Sequence, residues 1–544
     1  MLSEPLVPVP KPRPQRKLLE AVQEQALLLS TAGFISVLND INAASFGQLL
    51  VPAALGLPAA AGSPIFVAGT LAAQTILSLC SGEAYAMGGA TIEVIPLITP
   101  ITLLAANDEL STAEKASTLL AMFSLTSLVV SAMYIAIARF KLAGILRCIP
   151  LIVLKSALTG VGAFLLIESA KMSINVSEEG PPIITQVGSI RGMTRLLPTI
   201  GLFAGLVVVQ NKLNSPFAAL GYLGMAVGLV GCLRLSGLVI LGDDWYFGDG
   251  ESSADAVSAD GGAWVCLGAL NLFSFGSISV VALAASVPYA ISCAFVHALV
   301  TVTDLVALEA ASTAAAAEAG KEPSFDLDRE ISSIGLANFA SACLGGMPNY
   351  MQLTPSMVSL KFTRGSGGRP GPYVAILTAL SLPFLSSVVA IVPRFVVGAF
   401  ILDMGVSFLI ETGLETLRHT IDPIDKLLIF LVPAIMVTVE FLPGLATGLF
   451  VALCHFVVSC RPLVGVPPGT RISPPLSLCP TPLTLPGSGL FRSDVCSRTL
   501  TTFFADQFEP WRIFADTPSR VVLVSFRFRP AHRQVPADSR PDLL

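Results

Sequence analysis

The sequence predicts an all-α polytopic membrane protein with about 12–14 transmembrane helices, and three observations predict it. Of 544 residues, 53% are hydrophobic and 13% charged, and the mean hydropathy is +0.75. Soluble domains usually carry about 25% charged residues. Apolar runs such as Ala116–Ala138, Leu197–Gln210, Val374–Val392 and Leu427–Leu442 meet or approach the ~20 residues needed to cross the hydrocarbon slab. They are apolar all round rather than striped, which excludes one large soluble core. Gly (45) and Pro (39) are abundant while aromatics are only 7%, and membrane helices tolerate both breakers better than soluble ones do.

The elements follow in order. Spans are expected at roughly 26–56, 64–82, 88–105, 116–138, 149–170, 196–210, 215–241, 285–315, 332–346, 349–362, 372–392, 394–412, 426–442 and 443–460. Trp264–Val287 is apolar but broken by Gly and Ser, either a further span or an interfacial segment. The domain division expected is a Pro-rich basic segment at 1–25, a first membrane repeat at 26–241, and a loop with interfacial segment at 242–284. A second repeat at 285–460 and a tail at 461–544 complete it. The tail is rich in Pro, Ser, Thr and Arg, holds no span, and is expected to be disordered or loosely folded despite the alternating stretch Val521–Phe528.

Loop charge gives the sidedness. Basic residues gather in the N-terminal segment, in Arg139–Arg147, around Lys321 and Arg329, in Lys361–Arg369, and around Arg418 and Lys426. Leu57–Ser63 has none, and Gly242–Gly262 carries acids without a base. Both termini are therefore expected in the cytoplasm. A plasma membrane and a vacuolar or other endomembrane satisfy that pattern equally. Asn175-Val176-Ser177 falls in a non-cytoplasmic loop as a weak glycosylation triplet. The N-terminus lacks the pattern of a cleaved signal peptide. The ten cysteines lie singly and there are four histidines, so no disulfide framework, metal site or cofactor is expected. Lys and Arg form no stripe, so nucleic acid is not an expected partner.

Two places break the helical pattern alike: Gly88-Gly89-Ala90-Thr91-Ile92-Glu93-Val94-Ile95-Pro96, and Gly345-Gly346-Met347-Pro348-Asn349-Tyr350-Met351-Gln352-Leu353-Thr354-Pro355. Each falls in the third span of its half and is read as a Gly pair opening a half-helix. One such pair alone would be accounted for by close helix packing. Matched interruptions in corresponding positions point to a transporter binding site, because half-helix N-termini leave unpaired N–H groups and partial positive charge in mid-slab. Candidate substrate-binding residues are Gly89, Ala90, Thr91, Glu93, Pro348, Asn349, Tyr350, Met351 and Gln352. Carboxylates inside spans usually line a polar pathway. Asp40, Glu93, Asp304 and Glu309 are the candidates for proton or ion coupling, with Glu440 at a span edge.

From Asp304 to Cys460 the chain resembles the SulP family of anion transporters and exchangers. Phe325-Asp326-Leu327-Asp328-Arg329-Glu330, Gly335-Leu336-Ala337-Asn338, Gly345-Gly346-Met347-Pro348, the basic loop Thr363–Arg369, Ile391-Val392-Pro393 and Asp425 carry the resemblance. The first half resembles the family more weakly, through Gly88-Gly89. The resemblance implies a seven-plus-seven inverted repeat, core and gate domains, two half-helices, a substrate between the third and tenth helices, and elevator-like motion. Glu309 stands at about the spacing of the family's eighth-helix carboxylate. Two features depart from the family. No Arg opens the tenth helix, where Leu353-Thr354-Pro355-Ser356 stands, and Glu93 lies in the third. The tail does not resemble the family's STAS domain.

The expected function is secondary transport of a small polar solute, with two substrate classes open. One is sulfate or another inorganic anion. The other is a cationic solute such as a basic amino acid, coupled to protons through Glu93 or Glu309. A channel and a non-transporting membrane scaffold are the further alternatives. An enzyme is not expected, since Ser, His and Cys form no nucleophile site and the Gly-rich loop lacks a P-loop Lys-Ser/Thr. The expected partners are a small-molecule or ion substrate, the lipid bilayer and, as an option, a second copy of the chain in a homodimer.

Overall fold

The computed structural model describes residues 14–460 apart from 52–54, 56–61, 108–109, 147–150, 176–182, 214–215, 237–241, 243–244, 247–273, 319–324, 364–367, 421 and 440. The tail at 461–544 with Val521–Phe528, most of the acidic loop, Val176-Ser177, the basic loop 364–367, the start of Trp264–Val287 and Glu440 lie outside the described residues.

Helices α1 (Pro14–Leu50) and α2 (Gly62–Cys80) precede strand β1 (Gly88–Ala90), a 3-10 turn at Ile92–Val94, and the short α3 (Ile95–Ala105). Then come α4 (Thr112–Arg139), the one-turn α5 (Ala143–Leu146), α6 (Leu151–Ile174), α7 (Ile183–Val187), α8 (Ile190–Leu213) and α9 (Pro216–Leu235). The second half repeats the order: α10 (Val280–Glu318), α11 (Leu327–Cys343), strand β2 (Asn349–Met351), short α12 (Leu353–Thr363) and α13 (Gly371–Ile391). It continues with α14 (Arg394–Phe408), a π-helical turn at Leu409–Leu414, α15 (Glu415–His419), α16 (Pro423–Thr438) and α17 (Phe441–Cys460). Among the described residues each half thus contributes seven helices of eleven or more residues, the third being short and preceded by a strand.

Local chemistry sets the helix starts. Ser111 and Glu114 form a reciprocal capping box before α4. Asp326 caps α11 by accepting from the Asp328 and Arg329 amides. Asp422 caps α16, with Pro423 in the first turn, where no amide is needed.

The helices sort into two bundles. α1–α4 pack with α10–α13, while α6, α8, α9, α14, α16 and α17 pack among themselves. The bundles touch mainly where α1 meets α14 and α3 meets α17, for example through the Phe46–Phe400 edge contact at 6.5 Å. One buried cluster joins Phe46, Phe66, Ile98 and Phe123 to Leu165, Ile401 and Leu428, and a second surrounds Leu77, Tyr134, Leu305 and Ile331. Among the described residues seven helices are long and apolar enough to cross a membrane by themselves, and Ile92–Ala105, Gly221–Arg234, Gly371–Leu385 and Pro443–His455 are shorter apolar stretches. The protein is a multi-pass integral membrane protein.

The first span, expected at 26–56, lies within α1 as the apolar stretch Glu24–Leu50. Two local expectations are corrected. The Gly pair 345–346 ends a helix instead of opening one. Gly345 takes φ +69°, its amide returns to Ala342 O and that of Gly346 to Ser341 O, which is the Schellman C-terminus that glycine favours. A strand also precedes each half-helix, containing the Gly pair 88–89 in the first half and following the Gly pair 345–346 in the second, so Glu93 sits in the 3-10 turn ahead of α3 and not one turn inside a helix.

Candidate functional site

The two broken segments meet. β1 and β2 pair antiparallel, with Gly88 opposite Met351, Gly89 opposite Tyr350 and Ala90 opposite Asn349. The pairing extends one residue each way: the Thr91 amide donates to Pro348 O at 3.1 Å, and the Gln352 amide to Met87 O at 2.9 Å. A two-stranded ribbon has two open edges, and an open edge inside a membrane protein must find partners from the protein itself.

Buried side chains supply them. On the β1 edge, Gln74 of α2 accepts from the Gly88 amide at 2.6 Å. On the β2 edge, Asn338 of α11 accepts from the Asn349 amide at 2.8 Å and donates to Asn349 O at 2.7 Å. α2 and α11 are the second helices of their halves, so both halves solve the same problem with an amide side chain at the same place. His297 of α10 completes the β2 edge. Its Nε2 lies 3.1 Å from Asn349 O, a pure acceptor, so Nε2 donates, while Nδ1 lies 2.7 Å from the Tyr134 hydroxyl. Ser356 of α12 accepts from the Met87 amide at 3.1 Å.

Carboxylates gather beside the ribbon. Asp304 of α10 accepts from the Leu353 amide at 3.2 Å, so its carboxyl group sits on the N-terminus of α12. Glu93 is 7% exposed. One of its oxygens accepts from the Tyr350 hydroxyl at 3.3 Å, and Oε2 has no hydrogen-bond partner. Tyr350 lies within electrostatic reach of Glu93 and Asp304, and Asp304 within reach of Glu93. α3, α10, the ribbon and the first two turns of α12 contain no Lys or Arg. The Thr91 hydroxyl is buried without a partner, and the Gln352 side chain reaches Ala90 O at 3.3 Å. Unsatisfied polar atoms at this depth cost free energy and mark where a ligand or water would bind.

Of the residues expected at the site, Gly89, Ala90, Thr91, Pro348, Asn349, Tyr350, Met351 and Gln352 all lie on the crossing, with Glu93 beside it. Asp304 joins them through Leu353. Glu309 is half-buried on α10, five residues beyond Asp304 and therefore about 140° round the helix from it. Asp40 accepts from Ser381 of α13 at 3.0 Å, a tie between α1 and α13. Sequence reasoning passed over Gln74, His297, Tyr134 and the structural part played by Asn338. Buried polar side chains in otherwise apolar helices were the available signal, and nothing in the chain alone pairs them with a strand edge.

The Asp-Leu-Asp-Arg-Glu stretch also acquires a place. Glu330, fully buried, accepts from the Ser81 hydroxyl at 2.6 Å and the Gly82 amide at 2.8 Å, and Arg329 donates to Cys80 O at 3.3 Å. Both hold the segment between α2 and β1. Among the described residues no group of three or more His, Cys, Asp or Glu is arranged to hold a metal ion.

Residues 265–432 match the model of the sulfate permease family, a family of transporters and not of enzymes. Over 453 residues the chain is 22% identical to the vacuolar basic amino acid transporter VSB1 of Saccharomyces cerevisiae. That alignment covers 78% of this chain and 40% of the yeast protein, so the chain spans less than half the length of this relative. The fold is shared with the transmembrane domain of the cyanobacterial bicarbonate transporter BicA (TM-score 0.56, 16% identity, 79% of this chain and 98% of that one). It is shared as well with SLC26A9 (0.55, 14%, 84% and 73%) and with murine SLC26A9 in an inward-facing state (0.56, 14%, 80% and 68%).

Proposed function

Taking the sulfate-permease-family segment as the premise, we propose that the protein is a secondary active transporter of a small cationic solute, of the basic amino acid class, whose α1–α4/α10–α13 bundle moves against the other bundle in elevator fashion. The observation that carries this reading is the Asp304 carboxylate on the Leu353 amide. An anionic cargo would be drawn to that helix terminus, and the protein's own carboxyl group already holds its first amide. Glu93 and Asp304 take the cation, and the Thr91 hydroxyl and Gln352 amide orient it. Gly89, Ala90, Pro348, Asn349, Tyr350 and Met351 form the scaffold behind them. Glu309 carries the coupling proton, with Asp40 as a second site for it. Both termini face the cytoplasm, and the membrane is an endomembrane, a reading supported by the vacuolar relative.

Uptake of labelled arginine and labelled sulfate into proteoliposomes, under inward and outward proton gradients, tests this. The expected result is saturable arginine uptake that responds to the gradient, a KM for arginine raised about tenfold or more by Asp304→Asn, and loss of the gradient response in Glu309→Gln. Sulfate uptake without arginine uptake would overturn the cationic reading.

An inorganic anion is the second reading, favoured by the sulfate permease description of the matching family and by the two half-helix N-termini. It requires Asp304 to give up the Leu353 amide. Asp304→Asn would then increase anion uptake, the opposite sign from that expected for a cation.

A further inference from the structure

His297, Thr301 and Asp304 follow one another at steps of four and three residues, which puts them on one face of α10. Two of them grip the same short segment. His297 Nε2 donates to Asn349 O at 3.1 Å, and Asp304 accepts from the Leu353 amide at 3.2 Å. The other ring nitrogen, Nδ1, has the Tyr134 hydroxyl of α4 at 2.7 Å and Thr301 Oγ1 at 3.3 Å. The imidazole is fully buried and makes edge contacts with two phenol rings, Tyr134 at 5.4 Å and Tyr350 at 6.1 Å between centroids. The Tyr350 hydroxyl in turn donates to Glu93 at 3.3 Å.

The groups bonded to this ring each have a second partner. Asn349 O also accepts from Asn338 at 2.7 Å. The Tyr134 hydroxyl lies 3.0 Å from the carbonyl of residue 297 itself, which any residue at that position would keep. Thr301 stands one turn on from the same carbonyl, the usual acceptor for a helical threonine. An apolar residue of similar size would therefore orphan none of them, and would spare the fold an imidazole that needs two partners of its own. Hydrogen-bond satisfaction alone thus gives no reason for a histidine here. What the ring alone supplies is the edge against which Tyr350 rests, and Tyr350 is the residue that meets Glu93.

We propose that His297 is a positioning residue of the cargo site: it sets the Tyr350 ring so that the phenol hydroxyl meets Glu93, and it acts on the cargo only through that pair. The proposal rests on the reading that Glu93 receives the cargo. An aromatic edge contact contributes about 0.5–1.5 kcal/mol, so its loss should show as a three- to tenfold change, on the order of one decade at most.

The test is a double-variant cycle in proteoliposomes with wild type, His297→Leu, Tyr350→Phe and the two combined, reading KM and kcat for labelled arginine. His297→Leu should raise KM about three- to tenfold with kcat within about twofold. In the combined variant KM should stay within about twofold of Tyr350→Phe alone, because both changes break one path. His297→Phe keeps a ring without the donor to Asn349 and should recover part of the lost affinity. SDS unfolding should leave the folded-to-unfolded ratio of His297→Leu within about fivefold of wild type. An unchanged KM in His297→Leu overturns the proposal, as do effects of the two substitutions that multiply. A folded ratio lowered about thirtyfold or more would make the histidine a residue of the fold alone, and loss of the proton-gradient response in His297→Leu would make it a proton carrier; either result overturns the positioning role. Should wild type carry sulfate and no arginine, the cationic reading fails, and the same cycle read on the sulfate KM decides the role of His297 separately.

Discussion

Replacing Asn338 by Leu tests whether the ribbon depends on its buried amides. Asn338 is fully buried, donates to Ile334 O at 2.9 Å and to Asn349 O at 2.7 Å, and accepts from the Asn349 amide at 2.8 Å. Leucine fills similar space and satisfies none of these. Ile334 O keeps its helical donor, and Asn349 O keeps His297 at 3.1 Å. The Asn349 amide is left with no acceptor. A buried donor without a partner costs about 1–3 kcal/mol, and an apolar slab with no water places this one toward the upper end. The expected loss is therefore about 2–3 kcal/mol, or roughly 30- to 150-fold in the folded-to-unfolded ratio. Reversible SDS unfolding in bicelles reads it, with Leu336→Ala on the exposed face of the same helix as a control expected within about 1 kcal/mol. Arginine uptake should fall in parallel, because the freed strand no longer holds Tyr350 against Glu93. An Asn338→Leu protein within about 0.5 kcal/mol of wild type, transporting with normal KM, would refute the claim that the strand edge needs this partner.

Gly346→Ala should collapse the folding yield in membranes, because its Cβ would lie 2.5 Å from Gly69 Cα, a backbone atom that cannot swing aside. Gly89→Ala should fold yet raise the substrate KM, since the nearest atoms to its Cβ are those of the terminal amide of Gln352, which can rotate away from Ala90 O. Glu330→Gln should cost about 1 kcal/mol in the same SDS titration, because the Gln oxygen can keep the Gly82 amide while the Ser81 hydroxyl loses its acceptor and must turn its proton away to accept from the new NH2. Burial holds the Glu83 carboxyl above the ordinary glutamate range despite Arg329 and Arg369. The folded state therefore keeps that proton to higher pH than the unfolded chain does, and stability falls as pH rises through the folded value. Wild type should accordingly gain stability relative to Glu83→Gln on acidification from neutrality to about pH 4–5, and pH-independent parity of the two would contradict the shift.

The membrane class and the spans were legible because little besides a bilayer accommodates apolar runs of about twenty residues. The crossing was legible too, since Gly88-Gly89 and Gly345-Gly346 interrupt corresponding spans. Their local form was not. A Gly pair is as good a helix terminus as a helix start, and only the Gly345 φ and the amides returning to Ser341 and Ala342 decide the matter. Strands of three residues carry no periodicity to read. Their pairing partners, Gln74, Asn338 and His297, are fixed by tertiary contacts across more than ten to more than fifty positions. Asp304 and Glu309 share one helix and differ only in the direction each faces, which hydropathy does not report.

The ribbon also limits what can select the cargo. Asn349 has both backbone groups engaged by Asn338 and His297, Gly88 donates to Gln74, and Met87, Thr91, Pro348 and Gln352 each have a backbone group tied across the crossing. Backbone dipoles that elsewhere greet an anion are here bound to protein, and the first amide of α12 is held by Asp304. On the cationic reading proposed above, recognition falls to side chains that stand off the ribbon: Glu93, Thr91, Gln352 and Asp304. None of these four side chains makes the backbone pairing between the strands. The charge of the cargo can therefore change by substitutions at these positions while the crossing stays folded. An acidic set at these positions is what a fold matched to a sulfate permease family would need in order to carry a cation.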